Sequence, residues 1–281
     1  MSAVAIKGDY AFVLDGPLRG QYDDEALFVL PLKGMARANS GSAVERAAVA
    51  GRAVYWPAPG RLALTPDGYS GFQGIVAVLG PTTRSLVEQG LPPLATAFDA
   101  DPLVLSMYPS LRPWMTMSSD VRFPLDPNHV FAEFVTRRYA AHRDVLLRLP
   151  GSEHRRSGVY QRLLEAHASC EADGDVRVSD LGDRAHLSQA HFVRLFRTAF
   201  GLGPKQVLVR SRMTRAMNLL AWTGLSISEL APHCGYMDRT AFSRAFAATV
   251  GMAPLRFREQ IERTGDRLRR FFQLRYEGLR C

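Results

Sequence analysis

The stretch HLSQAHFVRLFRTAFGLGP (186–204) returns as YMDRTAFSRAFAATVGMAP (236–254), and Phe192, Arg194, Phe196, Gly201 and Pro204 match Phe242, Arg244, Phe246, Gly251 and Pro254 at a constant offset of 50. Upstream the offset becomes 49, pairing Leu181 with Leu230 and Ala185 with Cys234, so the second copy holds one added residue in its turn. Two copies of one unit constrain the fold strongly, because each copy must form the same supersecondary element. Aromatic residues four apart put Phe242 and Phe246 on one side of a helix, with Arg239, Thr240, Ser243 and Arg244 crowding the other. Ser188 and Asp238 stand as N-caps of these helices, Gly235 supplies a permissive turn, and Ser226 with Glu229 forms a capping box that opens a shorter preceding helix. Each copy therefore reads as a helix, a tight turn and a second helix, over about 178–204 and 226–254.

The second helix of such a unit normally lies in the major groove, with its N-terminal residues against base edges. One stripe recurs at equal steps: Gln189, Ala190, Val193, Arg194 and Arg197 in the first copy, Arg239, Thr240, Ser243, Arg244 and Ala247 in the second. Arginine forks onto guanine, Gln, Thr and Ser meet other base edges, and Ala or Val touches a thymine methyl. The other reading of Arg194 and Arg244 is phosphate contact, or an ion pair that holds the fold. Between the copies, PKQVLVRSRMTRAMNLL (204–220) is a helix opened by Pro204 and followed by Gly224. Two heads on one face of B-DNA should sit about 34 Å apart unless the DNA bends.

Charge follows the same division. Residues 1–128 hold ten basic and twelve acidic side chains, so the formal net charge of +8 resides in the C-terminal half. Such an asymmetry points to a polyanion, nucleic acid before a membrane surface. Of the 35 basic residues 32 are arginine, which suits phosphate and guanine, although a GC-rich genome produces the same skew. No signal peptide and no run of about 18 uncharged apolar residues is present, which points to the cytoplasm and away from a membrane. Three cysteines, Cys170, Cys234 and Cys281, form no CxxC pair, so neither a disulfide scaffold nor a zinc site is expected; Cys281 reads as an exposed thiol.

From about Val178 to Arg258 the chain resembles the DNA-binding domain of the AraC/XylS family of bacterial transcription regulators. The residues that carry the resemblance are SQAHFVRLFRTAFG, the linker motif RMTRAMNLL with Arg212, Ala216, Leu219 and Leu220, and LSISELAPHCGYMDRTAFSRAFAATVGMAPLRFR. The helix GVYQRLLEAHAS (from residue 158) matches the opening helix of such domains less closely. There are departures: Gly182 replaces a small helix former, usually alanine; Pro232 is expected to interrupt the first helix of copy two; and Ala247 and Ala248 stand where relatives usually carry basic residues. The second head is therefore expected to bind more weakly.

In the first 150 residues, YAFVL (10–14), ALFVLPL (26–32), AVYW (53–56) and GIVAVL (74–79) read as strands separated by NSGS, PAPG and PDG turns. They imply an antiparallel barrel or sandwich, and their order resembles the cupin-like sensor barrel that often precedes this DNA-binding domain, with Pro57, Ala58, Pro59 and Gly60 as its turn. All seven histidines lie at 129 or later, so the barrel lacks the histidine cluster of a metal-dependent cupin enzyme. Without a cysteine cluster it also departs from the methyl-acceptor repair relatives, and no catalytic residue, cofactor or metal is expected. Tyr10, Tyr22, Tyr55, Trp56 and Tyr69 line a pocket or form plain core. A helix over 129–148 would place Phe131, Phe134, Val135, Val145 and Leu146 on one face, against its own barrel or a second copy, and LPGSE (149–153) reads as a hinge. The basic tail after Arg258 reads as a closing helix or as extra phosphate contact.

The expectation is an α+β chain of two domains: a cupin-like antiparallel β barrel or sandwich over 1–150, ending in a helical dimerisation or linker segment, and an all-α DNA-binding domain over 151–281 with two helix-turn-helix units. Its function would be that of a sequence-specific transcription regulator, an activator by the family resemblance. Its partners would be promoter DNA, a second copy as homodimer and, by the same resemblance, RNA polymerase. The N-terminal domain would receive a small ligand; the alternative is a protein partner, of chaperone or antiactivator type, or constitutive binding.

Overall fold

The sheet of the N-terminal half is organised around one long strand, because the strand that opens with the apolar run Ala26–Leu32 continues without a turn to Asn39. In this computed structural model, residues 9–22, 24–39, 46–57, 60–88, 96–115, 122–124, 133–137, 144–172 and 176–279 are described. Among them the strands are β1 (Tyr10–Asp15), β2 (Leu18–Tyr22), β3 (Ala26–Asn39), β4 (Arg46–Val49), β5 (Arg52–Trp56), β6 (Gly60–Pro66), β7 (Phe72–Leu79), β8 (Thr96–Asp99) and β9 (Arg122–Pro124). Their pairings are antiparallel, in the order β8-β5-β4-β3-β7-β1-β9, with β6 bridging β3 and β2. Helices α1 (Pro81–Val87) and α2 (Asp101–Met115) flank β8 in the chain.

The first half of β3 pairs with β7 and β5, and the second with β4 and β6. The register shifts between Pro31 and Lys33, a bulge that reverses which side chains point inward. Leu27 and Val29 before the bulge and Ala36 and Ala38 after it thus reach one interior, with Trp56, Leu62, Leu64 and Phe72. The strand turns its corner at Gly34, where φ is 72° and an added Cβ would stand 2.0 Å from the Gly71 carbonyl oxygen. The opposite face, Phe28, Leu30 and Leu32, is buried as well. That double burial is why the strand reads as a continuous apolar run rather than an alternating one.

What covers that outer face is α2 and the helical half. The helices there are α3 (Glu153–Ala172), α4 (Val178–Arg184), α5 (Gln189–Phe200), α6 (Pro204–Trp222), α7 (Ile227–His233), α8 (Arg239–Val250), α9 (Pro254–Glu262) and α10 (Arg267–Gly278). Phe28 and Leu30 belong to one core with Met217 and Leu220 of α6, Phe242 and Phe246 of α8, and Phe271 of α10. A second core gathers α3, α4 and α5 around Leu163, Leu181, Phe192 and Phe196. The second repeat unit thus shares its core with the sheet, whereas the first has a core apart from it. Polar struts cross the same junction: Arg275, 1% exposed, donates to the Gly51 carbonyl at 3.1 Å, Tyr108 bonds Asp266, and Arg52 pairs with Glu171.

Several expectations shift in detail. Pro232 does not interrupt its helix: α7 runs through it to His233, and the helix forgoes only the one backbone bond that proline cannot donate. The opening helix starts earlier than read, at Glu153, so the predicted hinge shrinks to a bend over 149–151 in which Leu149 is buried. Within the predicted helix 129–148, residues 133–137 and 144–148 are helical. Phe134 meets Phe28 edge-on at 6.0 Å, Val135 joins the large core and Val145 the smaller one; Phe131 lies outside the described residues. The described part of this segment packs on its own chain. Of the predicted turns, PDG joins β6 to β7, whereas Ser40, Gly41 and Ser42 of NSGS and Ala58 and Pro59 of PAPG lie outside the described residues, as does Cys281.

Of the five aromatics named above, Tyr55 and Trp56 are core, and Tyr10 and Tyr22 pack on the interior at its edge. Tyr69 instead is 56% exposed and lies against the His233 ring at 4.6 Å.

Candidate nucleic-acid interface

Each repeated residue can be asked what the fold requires of it. Phe192, Phe196, Phe242 and Phe246 are fully buried, with ring centroids 5.4 Å apart within the first pair and 5.8 Å within the second. Gly201 and Gly251 end α5 and α8 in the left-handed region, at φ 73° and 79°, where a side chain is strained. Pro204 and Pro254 occupy the first positions of α6 and α9, where a missing N–H costs nothing. Arg194 and Arg244 have no such task. Both are exposed, and neither side chain makes a hydrogen bond or ion pair with a described residue. No ion pair or hydrogen bond thus ties these two arginine side chains to a described residue.

The rest of the stripe lies on the same faces. Gln189, Ala190 and Arg197 are exposed on α5, and Arg239 and Thr240 on α8; Val193 and Ser243 are half-buried, with Val193 packed on the smaller core. Both faces end in unopposed positive charge, since Arg197 and Arg239 also lack a partner among the described residues.

The two turns are built differently. The first spans 185–188 and the second 234–238, so the added residue sits between the helices. His186 takes φ 53° in the first, where the second uses Gly235 at 72°. Asp238 caps α8 by accepting from the Thr240 and Ala241 amides, both at 2.8 Å, whereas Ser188 makes no side-chain cap bond. Ser226 and Glu229 exchange the expected capping-box bonds, and the Ser226 amide holds the Glu229 carboxyl below its ordinary value.

Sequence reasoning named Arg212 only as part of the linker motif and gave no role to the arginines that hold these units in place. Arg212 lies over the Tyr236 ring at 5.7 Å, Arg215 donates to the His233 and Ala172 carbonyls at 3.4 and 3.2 Å, and Arg258 donates to the Leu225 carbonyl at 2.6 Å. Arginines on α6 and α9 are the signal in the sequence, and it does not say which of them turn inward. Met237, 98% exposed immediately before Asp238, was missed because an apolar residue in a turn is ordinarily taken to be packed. Burial pushes the thiols of Cys170 and Cys234 up to about 12, so both are protonated.

Residues 181–260 match the protein family described as "Helix-turn-helix domain". This segment is an AraC/XylS-type domain. Its relatives include the Msm operon regulatory protein of Streptococcus mutans, 34% identical over 87 residues, covering 31% of each chain. Regulatory protein PocR of Salmonella typhimurium is 31% identical over 100 residues, 36% of this chain and 32% of that one. Among solved structures, the DNA-binding domain of AdpA in complex with a target DNA is 27% identical and covers 36% of this chain and 90% of that chain, at a TM-score of 0.32. These matches thus span about a third of the curated relatives' length. Among the described residues no helix is long and apolar enough to cross a membrane.

Proposed function

We propose that this chain is a sequence-specific DNA-binding transcription regulator, an activator, in which both repeat units are helix-turn-helix heads that enter adjacent major-groove segments. The observation that carries the reading is the pair Arg194 and Arg244: the repeat retains them, yet the fold gives them no packing or bonding task. Gln189, Ala190, Val193 and Arg197 complete the first reading head, and Arg239, Thr240 and Ser243 the second. Met237 extends the second head toward a thymine methyl or a sugar. The N-terminal half is a cupin-like domain that receives a small ligand, and its core, continuous with that of the second unit, supports transmission of the signal. Homodimerisation and contact with RNA polymerase belong to the same reading.

Selection of sites from a random duplex pool at near-physiological salt tests it. A motif of two boxes about one helical turn apart is expected. Arg194→Ala and Arg244→Ala should each cost about 1–3 kcal/mol on the selected site and little on random DNA. Equal losses on both DNAs would assign the arginines to phosphate, and the absence of any motif would refute sequence-specific binding.

A further inference from the structure

A cavity of about 450 Å³ lies between the sheet and the helical half. Met35 and Val49 form part of one wall; Leu164, Phe200 and Val207 form part of the other. The volume falls within the range of small-molecule sites. Its charges do not balance internally. Of the three carboxylates that line it, Asp99 pairs with Arg52 at 3.3 Å and Arg275 at 3.6 Å, Glu171 pairs with Arg52 and lies 3.5 Å from His167, and Asp67 accepts from the Ser70 hydroxyl without an ion pair among the described residues.

Three other lining arginines have no carboxylate within ion-pair distance among the described residues. Arg210 donates to the Leu279 carbonyl at 2.7 Å and Arg215 to two carbonyls, which fill hydrogen bonds without cancelling charge. Arg46, at the start of β4, makes neither a hydrogen bond nor an ion pair with a described residue. Burial acts against its charge, and Glu171 and Glu165 support it only through space. A half-buried guanidinium facing a cavity with an apolar wall lacks an anion.

We infer that this cleft binds a small amphipathic organic anion, with its apolar body against Leu164, Phe200 and Val207 and its carboxylate or phosphate on Arg46, assisted by Arg210 and Arg215. The assignment rests on the ligand-controlled regulator proposed above and names its site. An occupant would touch both repeat units. Phe200 ends α5 and contacts His167 at 4.5 Å, while Arg215 holds the carbonyl of His233 at the end of α7.

Isothermal titration of the full chain with 4-phenylbutyrate, 4-phenylbutyl phosphate and the neutral 4-phenyl-1-butanol tests this. At least one anion should bind about tenfold or more tightly than the alcohol. Which anion binds better assigns the carboxylate or phosphate class. Arg46→Gln should remove that preference while leaving the alcohol unchanged. No binding of either anion, or equal binding of the alcohol to the unmodified chain, would overturn the assignment without any variant having to fold. Site selection in parallel separates the two proposals: a two-box motif with no anion binding refutes the cleft alone. Anion binding of the expected pattern, with no motif in its presence or absence, refutes the regulator alone.

Discussion

Replacing Asp238 by alanine removes the one carboxylate that caps α8. Its Oδ1 accepts from the amides of Thr240 and Ala241, both at 2.8 Å, and both bonds are exposed, so water replaces them and the loss stays moderate. An N-cap is worth about 1 kcal/mol, and a negative charge at the first turn adds about 0.3–1 kcal/mol, so Asp238→Ala should cost about 1.5 kcal/mol. In a chain of this size that lowers Tm by about 3–6 °C. Asp238→Asn keeps an acceptor and loses the charge, for about 0.5 kcal/mol. The equivalent Ser188 makes no side-chain cap bond, so Ser188→Ala should cost less than about 0.5 kcal/mol. Urea unfolding and thermal scans of the three variants measure the order. Equal destabilisation by Ser188→Ala and Asp238→Ala would refute the difference between the two turns.

Gly182→Ala should stabilise the chain by about 0.5–1 kcal/mol, since helix interiors favour alanine by that much; the added Cβ meets Leu187 O at 3.5 Å and Phe192 Cβ at 3.8 Å, ordinary contacts, and a fall in Tm would show that the site cannot take it. Burial pushes the His167 imidazole below its usual 6.5; Glu171 opposes this, Arg52 and Arg46 add to it, and Asp99 opposes it. The unfolded chain then binds more protons than the folded one below that value. The stability is present above it and lost as pH falls, by at most about 1.4 kcal/mol per pH unit. Urea unfolding between pH 7 and 5.5 should show a slope that His167→Gln reduces. With thiols pushed up to about 12, Cys170 and Cys234 should react with a thiol reagent at pH 7.5 only after denaturant is added, and rapid native reaction at either would contradict their burial.

The helical half was legible because its signals are local. Caps, turn glycines and aromatics at a spacing of four act within a few residues, and they placed Ser226, Asp238, Pro204 and Gly235 where the structure has them. The strands were legible where at least four apolar residues run together: β1, β3, β5 and β7 were read, while β2, β4, β6, β8 and β9 hold shorter apolar runs and owe their form to partners elsewhere in the chain. Of the stripe that recurs on the two helices, the residue identities and their common face follow from helical period. That no described residue pairs with Arg194 or Arg244 does not, because any acidic residue brought near by folding would have filled that role.

From sequence alone, then, this chain determines a repeated helical unit, its caps and its polar face, since those depend on neighbours three or four residues away. The tertiary structure decided which arginines are struts and which have no partner among the described residues, and that Arg275 reaches Gly51 across the junction of the two halves. It also decided that one core is shared between the sheet and the second unit, and that a charged cleft remains between the sheet and the first. Those facts depend on surfaces brought together from distant parts of the chain, where burial and charge pairing are settled by packing and no local pattern records the outcome.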